Sequence, residues 1–244
     1  TDRPALVHQP ADVLKDEFNG EATASKLARV REQMEKEAAQ YHIISTLDDI
    51  AWILNVRGND IPHVPVVLSF LVIGKEDVMW FVEENALSDA IKEMAAECGI
   101  TIRPYEDVYA YAATIPEHST VLLDKRKVNY RITNALSETV HIVSKANPSQ
   151  LMKAIKNEIE LENTRKAHLL DGIAVTKFMY WLKKNVGKIP MDEVSVSDYL
   201  QSLREQMEGY RDISFDTIAG YNANAAMMHY KAEPDTAAKL EPQG

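Results

Sequence analysis

Only one cysteine, Cys98, stands among the 244 residues, so the chain can form neither an internal disulfide nor a multi-cysteine metal site. It lies in MAAECGI, at the end of an apolar helical pattern and before Gly99, where a buried structural thiol is expected rather than a nucleophile. Excess positive charge is also missing: 27 Lys+Arg against 37 Asp+Glu leave a formal charge of −10. Such a field repels phosphate backbones, and nucleic acid is not an expected ligand. The one basic run, DKRKVNYR at 124–131, reads as a solvated turn. The opening TDRPALVHQP has neither the basic start nor the apolar run of a secretory leader. The longest apolar stretch, Val64 to Gly74, is interrupted by Pro65 and Ser69 and is too short to span a bilayer. From these absences a soluble cytoplasmic protein with no membrane partner is expected. HExxH, a Gly-rich phosphate loop, a GxSxG elbow and a Cys/His cluster are absent too, and the seven histidines are scattered singly.

What is present is a hydrophobic share of 45% on a chain long enough for one large or two smaller domains. From residue 22 to 147, helical and strand patterns alternate. ASKLARVREQMEKEAAQY puts Leu27, Val30, Met34 and Ala38 on one face of an amphipathic helix. HIIST, VVLSFLVI, VMWFV, ITIRPY, STVLLD and VHIVSK are short runs rich in β-branched and aromatic residues and read as strands. The second and third of these form an antiparallel hairpin. NALSDAIKEMAAECG predicts a helix capped by Asn85 and stopped by Gly99. The pattern implies an α/β domain with helices on a mixed sheet.

The strand pattern breaks at KANPSQ, which divides the chain into residues 1–148 and 149–244. Beyond it, Asn157 with Glu160 three residues on makes a variant capping box. It opens a helix of about 27 residues, roughly 40 Å long. Ile159, Ala167, Leu170, Ala174, Phe178 and Trp181 follow at helical spacing, and His168 falls at the edge of that face. A second helix is expected from Ser195, with Asp198 three residues later. Two apolar pieces, SFDTIAG and NAAMMHY, then read as strands.

Two segments carry candidate chemistry. His63 lies in RGNDIPHVPV with Arg57, Asp60 and two prolines, a segment that can line a cleft or simply make a rigid turn. His229 is expected on a strand with Ala225 and Met227 on the same face and Ala226, Met228 and Tyr230 on the other. An imidazole at a strand's end can hydrogen-bond a substrate carbonyl or carry a proton, although the residues by themselves favour a satisfied core histidine.

Several segments together resemble one family. LDDIAWILNVRGNDIPHVPVVLSFLVI is similar to the middle domain of three-domain aminopeptidases P, in the creatinase and prolidase superfamily. EIELENTRKAHLLDGIAVTKFMYWL resembles the helix that opens the family's catalytic pita-bread domain. FDTIAGYNANAAMMHYKAEP resembles a later strand segment with its Asn, here Asn224, and its His-Tyr. The start, TDRPALV, resembles the linker from the first domain to the second.

The resemblance implies a creatinase N-terminal-like domain with a mixed sheet, followed by the first, incomplete half of a pita-bread α+β domain. It also implies a Xaa-Pro aminopeptidase, a metallo-exopeptidase acting on peptides with proline second, whose two Mn2+ ions activate a bridging water. His229 corresponds to the family's substrate-binding histidine, expected to stabilise the tetrahedral intermediate. Arg57, His63 and Asn224 are secondary cleft candidates. The family's ligands, two Asp, one His and two Glu, have no counterpart in the chain and are expected downstream of Gly244. The 244 residues are therefore expected to be an inactive fragment that holds no metal. With its partner strands missing, the fragment is expected to form a homodimer or to associate through strand edges. The alternative is a non-catalytic module that uses the same framework to bind peptides or proteins.

Overall fold

A computed structural model describes Leu6 and residues 8–243. The chain divides into two compact units that meet at Leu161 and Glu162. The first contains, in order, β1 (Asp12–Val13), α1 (Asp16–Asn19), α2 (Thr23–Lys36), β2 (Tyr41–Ile44), α3 (Leu47–Ile53) and β3 (Val56–Arg57). There follow β4 (Ser69–Gly74), β5 (Val78–Val82), α4 (Asp89–Glu97), β6 (Ile100–Arg103), α5 (Asp107–Ala112) and β7 (Thr120–Leu123). The unit continues through α6 (Tyr130–Ala135), β8 (His141–Ser144) and α7 (Pro148–Ala154), and α8 (Glu158–Asn185) runs across the division. Among the described residues, α9 (Glu193–Glu205) and a 3₁₀ turn at Asn222–Ala226 follow.

Six strands form one mixed sheet in the order β6-β5-β4-β2-β7-β8. The pairs β2–β4 and β4–β5 are antiparallel; β2–β7, β5–β6 and β7–β8 are parallel. Every run read as a strand before residue 147 is one. The period of two explains why they are so apolar. On β4, Leu71 and Ile73 point into one core cluster while Phe70 and Val72 point into another. On β5, Val78, Trp80 and Val82 enter the first and Phe81 the second. Leu27, Val30 and Met34 of α2 cover the first face; Val108 of α5 and Ile132 of α6 cover the second. Strands buried on both faces need continuous hydrophobic runs, and these have them.

Caps set the helix limits. Ser88, not Asn85, caps α4, its side chain accepting from the Ile91 amide; Asn85 lies in a 3₁₀ turn just before. The serine comes directly before the apolar-periodic stretch, so its oxygen reaches the free amides of the first turn. Gly99, at φ +65°, ends the helix as expected. Cys98 is half-buried beside the core rather than fully enclosed, and burial pushes its thiol pKa up.

The capping box that opens α8 is present: the Asn157 amide donates to Glu160 Oε2 at 3.0 Å and the Glu160 amide to Asn157 Oδ1 at 2.9 Å. Asn157 Nδ2 also donates to Asn19 O at 2.8 Å. Gly20 makes that approach possible, since it has φ +66° and a Cβ there would lie 2.7 Å from Asn157 Oδ1.

In the second unit, Ala174 of α8 is buried, Leu170, Phe178 and Trp181 are half-buried, and Ala167 is exposed, as is His168. Trp181 stacks on Tyr199 of α9 with ring centroids 3.9 Å apart. The expected start of α9 at Ser195 is two residues late. Asp192 is the cap: Asp192 Oδ1 accepts from the Ser195 amide and Ser195 Oγ from the Asp192 amide, both at 2.8 Å.

The larger correction concerns SFDTIAG and NAAMMHY, neither of which forms a strand. Among the described residues after 162, the β pairing is a single bridge, Asp192 with Lys239. An alternating apolar pattern becomes a strand only when a neighbour supplies a ladder, and without one the backbone turns on itself. Asn222 and His229 both adopt positive φ, 49° and 54°.

Candidate functional site

The polar centre of the second unit is built on the first turn of α9. The Asp192–Ser195 box locks that turn, and Glu193, next in line, points inward with 1% exposure. Its carboxylate collects donors from four residues. The Tyr221 amide donates to Oε1 at 2.6 Å and the Ala238 amide to Oε2 at 2.8 Å. Asn224 Nδ2 lies 3.1 Å from both oxygens, and the Tyr230 hydroxyl donates to Oε2 at 2.6 Å. The Glu193 amide in turn donates to Ala238 O at 3.2 Å.

Burial alone would raise the carboxyl pKa, but the hydrogen bonds from Tyr230, Ala238, Tyr221 and Asn224 outweigh it and hold the pKa at about 2. The same contact raises the phenol pKa of Tyr230.

Each candidate named from the sequence has a definite place. Asn224 is half-buried and spends its amide on Glu193 and on Tyr230 Oη, 3.0 Å away. His229 is exposed, sits in a turn rather than on a strand face, and directly precedes Tyr230. The expected face of Ala225, Met227 and His229 does not exist as such.

Arg57 and His63 belong to the first unit. Arg57 Nη1 donates to Ala51 O at 2.8 Å and to Val56 O at 3.0 Å. His63 is half-buried at φ +63° in a loop gathered by Asp60, which accepts from the amides of Gln9 at 2.6 Å and Leu68 at 2.7 Å. The structure thus gathers Asn224 at the Glu193 centre, sets His229 one residue beyond it, and leaves Arg57 and His63 on the β3 side of the first unit.

Glu193 was not a candidate from sequence. A glutamate in the first turn of a helix reads as a partner for the helix dipole, facing solvent. The one available signal was the Asp192–Ser195 spacing, which moves the helix start back to Glu193.

Elsewhere in the second unit, a groove of about 820 Å³ is lined by α8, the C-terminal half of α9 and the segment after it. It contains the paired Asp171 and Arg204, with Nε to Oδ1 at 2.6 Å, and the exposed apolar side chains of Phe215 and Ile218.

A dinuclear metal centre does not fit the residues present. Among the described residues no group of three or more His, Cys, Asp or Glu could hold a metal ion, and the Glu193 oxygens are already engaged by protein donors. No helix among the described residues is long and apolar enough to cross a membrane.

Comparison with known proteins agrees across both units. Residues 2–160 match the family described as Creatinase/Prolidase N-terminal domain, and residues 162–244 match Metallopeptidase family M24. A probable Xaa-Pro aminopeptidase P of Neurospora crassa is 34% identical over 98% of this chain and 37% of its own length. Xaa-Pro aminopeptidase 1 of Dictyostelium discoideum is 36% identical over 93% of this chain and 36% of its own. Among solved structures, X-prolyl aminopeptidase from Caenorhabditis elegans, described as a cytosolic enzyme with a di-nuclear active site, has a TM-score of 0.90. It is 29% identical, over 98% of this chain and 40% of that one. The chain therefore spans about two fifths of the length of such relatives.

Proposed function

Because the chain belongs to the creatinase/prolidase family, with its second part in metallopeptidase family M24, we propose that it is part of a metal-dependent Xaa-Pro aminopeptidase. The activity is hydrolysis of the bond between an N-terminal residue and a following proline. The observation that carries this reading is the likeness to the Caenorhabditis elegans enzyme across 98% of the chain.

Residues 8–161 serve as the non-catalytic domain, and 162–243 as the opening of the catalytic one. Two divalent metal ions, manganese in this proposal, are bound by residues outside these 244; that the described side chains do not assemble a site supports this. By itself the chain is inactive. The enzyme works in the cytoplasm on short peptides, and the exposed side chains of Phe215, Ile218 and Met228 support self-association of the isolated chain.

His229 is the group of this chain assigned to the substrate. Its exposure leaves the imidazole free to donate to a carbonyl oxygen that gains charge in the transition state. The experiment is a turnover assay of an Arg-Pro-Pro peptide with added manganese. One arm uses this chain and the other a longer protein that includes the family's metal-binding segments. No turnover is expected from the first arm and clear turnover from the second. His229→Ala in the longer protein should lower kcat by roughly 10²-fold, as loss of one oxyanion donor does. Turnover by this chain alone would contradict the proposal. Failure of the metal-loaded longer protein would leave a peptide-binding module as the reading.

A further inference from the structure

We infer that Glu193 is a positioning residue for His229, holding the 221–230 segment in the one conformation that presents the imidazole. The inference rests on His229 being the substrate-binding group and adds the question of what keeps it in place.

Segment 221–230 has no strand partner, yet it takes a costly path. Asn222 and His229 both sit at positive φ, a region that residues other than glycine occupy only when their surroundings compel it. At His229 the neighbouring tether is visible. Tyr230, the next residue, is held through its hydroxyl at 2.6 Å from Glu193 Oε2. The opposite end of the segment is held through the Tyr221 amide at 2.6 Å from Oε1, and the middle through the Asn224 amide at 3.1 Å. One carboxylate therefore ties both ends and the centre.

The anchor does not move with the segment, because Glu193 stands on the first turn of α9. The Asp192–Ser195 capping box closes that turn, and the Glu193 amide is bonded to Ala238 O. With 1% exposure, Glu193 cannot meet a substrate itself and acts through the residues it holds.

The chemistry requires a carboxylate. Two backbone N–H groups, a carboxamide N–H and a phenol all converge on it as donors, and an ionised carboxylate is acceptor-only with room for all of them. A glutamine of nearly the same shape would turn an NH2 toward those donors. The phenol could reverse its role, but the Tyr221 and Ala238 amides could not. Glu193→Gln therefore releases the segment while keeping side-chain volume.

Isotope-labelled 244-residue chain is compared as wild type, Glu193→Gln and Tyr230→Phe by NMR and amide exchange. In Glu193→Gln, exchange at Tyr221 or Ala238 should accelerate tenfold or more. The His229 imidazole signals should move to free-peptide values, while Val196–Leu203 of α9 keep their protection. In Tyr230→Phe, the His229 signals should shift although the Tyr221 and Ala238 amides stay protected, a change that a purely structural role for Glu193 would not produce. Unmoved His229 signals in Tyr230→Phe overturn the inference, whether or not Glu193→Gln folds. Wild-type protection of both amides in Glu193→Gln overturns it equally. None of these readouts involves turnover, so the inference can fail while the peptidase assignment stands. Failure of the peptidase assay would in turn leave the tether intact and remove only its purpose.

Discussion

The two parts of the chain solve the same problem in different ways. Before Leu161, six strands satisfy one another's backbone groups and bury apolar side chains on both faces, so Ile43, Ile44, Leu71, Ile73, Phe81 and Leu123 are fully enclosed. After Glu162, the buried apolar side chains are Ala174, Met191, Val196 and Leu203, while Leu169, Phe215 and Met228 stand exposed. There a single carboxylate does what a ladder does in the first part.

The buried charges repeat the contrast. Lys26 of the first part, 1% exposed, donates to Trp52 O at 2.9 Å and Asn55 Oδ1 at 2.5 Å and lies 4.5 Å from the centre of the Trp52 ring. Burial dominates, and its pKa falls to about 8. Glu193 is as deeply buried, but there the donors win and its charged form is favoured. A buried ion keeps its charge in proportion to the partners that converge on it.

The sharpest way to break this comparison is in the sheet. Phe81→Ala should destabilise the first part by about 3–5 kcal/mol, the usual cost of emptying a fully buried aromatic site. Amide exchange at residues 41–44 and 70–82 would report it. A loss below about 1 kcal/mol would mean that the ladder, not the two-faced core, carries the stability.

Acid tests the second part. The Glu193 pKa lies at about 2 when folded and near the ordinary 4.5 when unfolded. The unfolded state therefore takes up a proton first as pH falls. The stabilisation is complete above pH 4.5 and is lost as pH drops toward 2, by up to about 3 kcal/mol. A denaturant midpoint followed at residues 221–238 should show this slope, and Glu193→Gln should lack it.

Base tests the first part, with a smaller effect. Between about pH 8 and 10.5 the unfolded chain keeps the Lys26 proton that the folded chain has released, so stability rises with pH. A gain of about 1–2 kcal/mol by pH 9.5 is expected. Lys26→Met should flatten the rise. An equal rise in that variant would place its origin elsewhere.

Legibility followed the same line. The strands of the first part could be read because each β-rich run had others nearby to pair with, and the runs were apolar enough to be buried on both faces. Asn157 and Glu160 were readable because a capping box is local, closed within four consecutive positions. Asn85 was misread as a cap and the start at Ser195 was read two residues late, because Ser88 and Asp192 offered competing side chains a few residues away, and only the backbone path decides between them. The strand over NAAMMHY was misread because its alternation is a statement about neighbours, and the described residues supply none.

By itself, the sequence determined the α/β class, the six strands, the long capped helix and the family likeness, most of which depend on local periodicity and short-range hydrogen bonds. Tertiary structure alone decided that Glu193 turns inward and that His229 stands in a strained turn, because both depend on Tyr221, Asn224, Tyr230 and Ala238 reaching one carboxylate from 28 to 45 positions away along the chain.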